Sequence, residues 1–410
     1  MAEQDTGRSA GDSGAASFHG KLFHASRHRR ALRRQASAAT LILAAGLCAG
    51  AAEAQEGLFL YVPNFNDDTV SGLELAADGT TSFVATVNGV GTALLTVKVR
   101  GDQAYVYAPA RNTNRVYVID TATSTVVSSV ATAAQPSSVT FNTNGTRAYV
   151  SNGSGSVDVF TVDAATGALS AVTNIDTGGG SGLRQISVSP DGSRVYAVDQ
   201  SLDRVVVIDT TTNNVLTNIT VGDQPLGIAV SPDGSRLYVT NFTDSTLSII
   251  DAGTNTVSAT IGLDFGGTLG RGPDSVAVSP DGRFVYVANR TTGNVSIVNA
   301  ATDTTVAVTA AGPQANGVAV SPDGSFLYVS SQGASDRVNA FTIDPVTGLL
   351  TANGTTAVGD SPVALSICSG GSGLLGSGGT FVAKSAAALA CAGGAANFTG
   401  GTLLIDGTNL

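Results

Sequence analysis

Ser231-Pro232-Asp233-Gly234-Ser235-Arg236-Leu237-Tyr238-Val239-Thr240-Asn241 is a tight turn followed by a strand. Proline at the second turn position presets φ, aspartate can accept hydrogen bonds from its own backbone, and glycine takes the positive φ that closes a bulged hairpin. Gly227-Ile228-Ala229-Val230 precedes the turn, and two further strand-like runs, 246–251 and 256–261, follow it. The segment therefore reads as four short antiparallel strands. The same turn recurs at residues 189–192, 279–282 and 321–324, with a degenerate copy, Asn142-Thr143-Asn144-Gly145. Working outward, Tyr61, Tyr105, Tyr149, Tyr196, Tyr238, Tyr286 and Tyr328 follow one another at 44, 44, 47, 42, 48 and 42 residues. A unit of this length cannot bury its own apolar faces and must stack on copies of itself. The reading is all-β: a seven-bladed propeller of four-stranded antiparallel blades.

Strand phase predicts how the ring closes. Residues 57–62 match the second strand of a blade, with no first strand before them, whereas Pro362-Val363-Ala364-Leu365-Ser366-Ile367 matches residues 225–230, a first strand with no blade after it. A mixed blade, its innermost strand C-terminal and its other three N-terminal, removes both open edges. The expected domains are a leader over 1–54, the propeller over 55–368 and a Gly/Ala/Ser-rich tail over 369–410.

Tyr238-Val239-Thr240-Asn241 spells the signature of the YVTN β-propeller repeats, with looser copies at residues 149–152 and 286–289. The chain also resembles the seven-bladed lactonase-like propellers, through 160–167 and 341–348, each of which ends in Thr-Gly. That resemblance implies ring-opening chemistry drawn from histidine, arginine and glutamate around the channel mouth. The absence of tryptophan disfavours a WD-type propeller. Residues 397–407 are similar to the opening of the β-helical passengers of autotransporter-like surface proteins.

Five arginines between Arg27 and Arg34, the apolar run 41–47 and Ala52-Glu53-Ala54 read as a secretory signal cut after Ala54, which predicts export to the periplasm or cell surface with no membrane span left after cleavage. The whole chain has 21 basic and 31 acidic residues; removing residues 1–54 leaves 14 and 27, a net charge of −13. Nucleic acid is a poor partner for such a surface. His19, His24 and His28, the only histidines, leave with the leader, and Glu56 and Glu74 are the only glutamates that stay. Histidine-based hydrolysis and His-ligated metal sites are therefore excluded from the mature chain. No cofactor motif, catalytic residue or metal ligand is assigned, because Asp191, Asp233, Asp281 and Asp323 hold turn positions where aspartate caps the backbone.

What recurs is scaffold, so candidate site residues are sought where the repeat breaks. Arg147, Arg194, Arg236 and Arg283 follow first hairpin turns, and Arg115, Arg204 and Arg337 open third strands. Arg184 and Arg271 instead lie in connections entering first strands, next to a Gly-rich run at 178–182 and an insertion at 263–270. Connections on this face commonly carry ligands. The ligand-binding candidates are Arg184, Asp223, Asp264, Arg271, Asp274 and Asp360, with the arginines taking a carboxylate. The leading expectation is an exported, non-enzymatic interaction or surface module for a protein partner; the alternative is a degenerate lactonase-like hydrolase or small-molecule binder. Convergent charges in a cavity at the channel mouth would favour the alternative. Cys368 and Cys391, the only cysteines after cleavage, form the expected disulfide.

Overall fold

The computed structural model describes residues 58–179, 182–333 and 336–367, and beyond them the backbone of two strands, Thr380–Ala383 and Thr402–Ile405. Seven four-stranded antiparallel sheets form the blades. Blade 5 serves as the pattern: Pro225–Val230 innermost, then Arg236–Asn241, Thr246–Asp251 and Thr256–Gly262 outermost.

The turn chemistry acts as the sequence requires. Gly234 has φ 73°, its amide donates to the Ser231 carbonyl at 2.9 Å, and the Ser231 hydroxyl donates to Asp233 at 2.6 Å. Asp233 also accepts from the Ser235 amide and hydroxyl, and these bonds hold its carboxyl below the usual carboxylate range. Asp191, Asp281 and Asp323 make the same hydroxyl contact in their own turns.

Each seam between blades is a cluster of buried aliphatic side chains around tyrosine. Tyr238, for example, packs with Leu247, Ile249, Val276 and Val285 across the seam between blades 5 and 6. Several tyrosines also pin the next blade through their hydroxyls. Tyr107 donates to the Gly167 carbonyl at 2.8 Å, Tyr286 to Gly348 at 3.2 Å and Tyr328 to Gly79 at 3.1 Å. The arginines after the first turns work in parallel: Arg194 reaches the Ala252 carbonyl, Arg236 that of Ala300 and Arg283 that of Pro345.

One repeat position is corrected by the register. In blade 5 Tyr238 lies opposite Ile249, three residues before Asn241, which pairs with Thr246. In blade 2 Ala110 pairs with Arg115, so the equivalent tyrosine is Tyr107, not Tyr105.

Closure follows the mixed-blade expectation. Ser366–Ile367 pairs with Leu58–Asn64 in the register Leu60↔Ile367 and Tyr61↔Ser366, extended by a bridge between Asn64 and Pro362. Ile367 joins Leu58, Leu60, Leu73 and Tyr328 in one core cluster, so the last blade is stitched to the first through side chains as well as backbone. In the tail, Thr380–Ala383 pairs parallel with Thr402–Ile405. The leader over 1–54 and the Cys368–Cys391 bond lie outside the described residues.

Candidate functional site at the channel mouth

The innermost segments of all seven blades enter from one face of the ring, and the second residue of each, counted by alignment with Pro225–Val230, faces the mouth of the central channel. These are Leu95, Ser137, Arg184, Leu226, Asp274, Asn316 and Val363, which share a cavity of about 220 Å³. Two residues further along, the same strands carry Val97, Val139, Ile186, Ile228, Val276, Val318 and Leu365, aliphatic in every blade. Scaffold recurs at one level, and variety is confined to the level that faces the lumen. Bulges at the strand entrances, as between Leu183 and Ile186, Pro225 and Ile228, and Pro273 and Ser275, free these residues from regular pairing.

A second set of side chains comes from loops after the second strands. Gln200, Phe242 and Arg290 line the same cavity. Arg184 donates through Nε to Gln200 Oε1 at 2.5 Å, which fixes its plane and leaves its terminal nitrogens for another acceptor. Arg290 approaches Asp274 loosely, at 3.8 Å. Arg111 stands on the far side, donating to Ser137 at 3.1 Å and to Gln135 at 2.9 Å. Asn316 is 4% exposed and its Nδ2 has no hydrogen-bond partner among the described residues. A buried donor left unmade costs free energy that an acceptor in the cavity would recover.

Burial pushes the Asp274 carboxyl up to about 6, against the opposing pull of Arg290 and Arg184. The side chain keeps 21% of its surface exposed because it lines a lumen, while dense protein on every other side strips its hydration. Burial lowers both Arg184 and Arg111, and in Arg111 the neighbouring Arg184 charge adds to the effect. Guanidinium stays charged through such shifts. The cavity thus holds Arg184 and Arg290, with Arg111 bonded to Ser137 at its edge, against Asp274, the one carboxylate among its described lining residues.

Of the residues singled out from sequence, Arg184 and Asp274 meet here. The others do not. Arg271 pairs with Asp264 at 3.0 Å, both about two-fifths exposed at 42% and 39%. Their insertion is tied down by its own bonds, from the Gly270 amide to Asp264 and from Asn294 to the Leu269 carbonyl. Asp223 sits beside Asp203, whose charge raises its carboxyl. Asp360 belongs to the closure, bonding Asn66 through its carboxylate and Asp67 through its amide. Sequence reasoning missed Arg111, Gln200, Phe242 and Arg290. Each directly follows the last residue of a second strand, a single variable position that the repeat alignment could have isolated.

A larger cavity, about 480 Å³, lies between blades 5 and 6 at the opposite face. Size favours it; chemistry does not. Its charges serve recurring contacts, Arg236 to Asp303 at 2.6 Å and Arg283 to the Val346 carbonyl at 3.0 Å, and Asp233 is occupied by its own turn.

Comparison with known proteins agrees with this architecture. No curated protein matches the chain. Among solved structures, a provisional 6-phosphogluconolactonase from Bacteroides uniformis superposes with a TM-score of 0.65 at 21% identity, covering 76% of this chain and 99% of its own. The periplasmic gluconolactonase PpgL of Pseudomonas aeruginosa superposes with a TM-score of 0.64 at 21% identity, covering 76% of this chain and 98% of its own. At such identity the likeness speaks for the fold. The model of the family "Lactonase, 7-bladed beta-propeller" matches residues 119–220, 218–307 and 300–378, more than half of the sequence. The chain belongs to the seven-bladed β-propeller lactonase family.

Proposed function

We propose that the protein binds a small polyhydroxylated carboxylate, or the lactone that yields it, at the mouth of its channel. The observation that carries this reading is the meeting of Arg184, Arg290 and Asp274 in one cavity, at the strand level where the repeat is otherwise free to vary. Arginine offers a planar fork to a carboxylate, and the amides of Gln185, Gln224 and Asn316 suit hydroxyls. A volume of about 220 Å³ fits a molecule of monosaccharide size better than a protein segment. Family membership and the gluconolactonase neighbours point to the same ligand class.

Ring opening needs a base to activate water and a donor to hold the developing oxyanion. Among the described residues the mouth offers neither histidine nor glutamate, so the base would be Asp274 and the donors Arg184 and Arg290. Export remains part of the proposal, resting on the charge and hydropathy pattern of residues 1–54. The non-enzymatic interaction module is the lesser reading, since it leaves the converging charges of the mouth without a role.

Isothermal titration of the mature protein with D-gluconate tests the binding claim. Saturable one-to-one binding is expected, weakened at least about tenfold in Arg184→Ala with melting unchanged. Absence of binding, or binding indifferent to Arg184, overturns the reading. Turnover of D-gluconolactone, abolished in Asp274→Asn, would add hydrolysis to binding.

A further inference from the structure

Below the mouth, the innermost strands present small side chains. Their fifth residues are Thr140, Ser187, Ala229, Ala277, Ala319 and Ser366 in six blades; in blade 2 the same position is Lys98. Register supports the equivalence, since Lys98 lies opposite Tyr107 as Ala229 lies opposite Tyr238. Lys98 is half-buried and forms no hydrogen bond or ion pair among the described residues. An innermost strand has neighbouring blades against both faces, so the solvent that reaches Lys98 is the water of the channel. An ammonium so placed has lost part of its hydration with no counter-ion to offset the loss, and burial lowers its affinity for the proton accordingly. The equivalent positions of the other six blades carry no ionisable side chain, so Lys98 is the one charge at this strand level among the described residues.

We propose that Lys98 is a second anion subsite, deeper in the channel than the mouth, so that the preferred ligand is a linear dianion with one carboxylate on Arg184 and Arg290 and the other on Lys98. The second- and fifth-residue levels of the innermost strands lie about 10 Å apart in depth, and because Arg184, Arg290 and Lys98 stand on different blades, their long stems must close that depth together with the width of the lumen. This inference rests on the mouth reading and goes beyond it by naming the ligand's other end.

D-gluconate and D-glucarate differ only at the terminal carbon, a hydroxymethyl in one and a carboxylate in the other. Titration of the full mature protein with both separates the two readings. D-glucarate should bind at least about tenfold tighter than D-gluconate, and Lys98→Met should erase that advantage while leaving gluconate affinity within about twofold. Lys98→Met is expected to melt no lower than the parent, because it removes an unpartnered charge and keeps the stem. If gluconate binds but glucarate binds no tighter, or if Lys98→Met weakens both alike, the deep subsite is wrong while the mouth stands. If neither ligand binds, both readings fall.

Discussion

The two faces of the ring are built from the same repeats and treat them in opposite ways. At the turn face, residues 189–192, 231–234, 279–282 and 321–324 are the same four amino acids, and their carboxylates and the arginines that follow are spent on bonds within the turn or to the next blade. At the mouth face, one strand position carries serine, arginine, leucine, aspartate, asparagine or valine by turns, and its charged groups pair loosely or not at all with one another. Uniformity marks what holds the blades together. Variation marks where a ligand could be read, and a charge without a tight partner is free to find one outside the protein.

If that division is right, the largest effect on stability comes from the seam between termini. Deleting residues 362–410 removes the Leu60↔Ile367 pairing and the Ile367 contribution to a buried cluster, and should cost several kcal/mol of cooperative stability. Chemical denaturation with an unchanged midpoint and slope would break the closure argument.

Next in size is a pH effect confined to the mouth. Because the folded Asp274 titrates at about 6 rather than 3.8, the native state holds its proton more tightly than the unfolded chain does. This group's favourable contribution is therefore complete below pH 3.8 and is lost as pH rises through 6. Asp274→Asn should be more stable than the parent above pH 6, on the order of 3 kcal/mol, with the gap closing toward pH 4. The same titration sharpens ligand binding: gluconate affinity should rise as pH falls from 7 to 5, and Asp274→Asn should flatten that dependence. A gap that persists at low pH, or the opposite slope, would place the carboxyl's burial elsewhere.

The smallest contrast pits two arginines that look alike in sequence. Arg236 bonds Asp303 and the Ala300 carbonyl of the next blade, and Arg236→Ala should lose about 1 kcal/mol, a modest figure because both partners are partly exposed. Arg271→Ala should stay within about 0.5 kcal/mol in the same thermal assay. Equal losses would blur the line between scaffold arginines and the exposed Arg271–Asp264 pair.

The fold was legible because its turns are local chemistry. Serine, proline, aspartate and glycine act within four residues, so four copies and one degenerate copy mark the unit, and the spacing of seven tyrosines extends it to seven blades without knowledge of any long-range contact. Blade 2 shows the limit. It lacks that turn, having Arg100-Gly101-Asp102-Gln103, and its tyrosines, Tyr105 and Tyr107, are two apart and so share a sheet face. Pattern alone cannot tell such a pair; pairing with the third strand can. The site was legible in half. Arg184 and Asp274 stand where the breaks of the repeat at 178–182 and 263–270 run into first strands, and those breaks are visible in the sequence. Arg111 and Arg290 each directly follow a second strand, a position that stands out only once the repeats are aligned residue by residue and its place at the mouth is known. The insertion at 263–270 misled in the other direction, because its length suggested a ligand loop while its hydrogen bonds bind it to blade 6.

A crystal structure of the mature protein grown with D-gluconate bears most directly on the claim that the repeat is broken at the mouth in order to hold a ligand. The expected result is one gluconate with its carboxylate on the free nitrogens of Arg184 and on Arg290, its hydroxyls within reach of Asp274 and Asn316. Gluconate bound instead in the cleft between blades 5 and 6, against Arg236 and Arg283, with only water at the mouth, would contradict it.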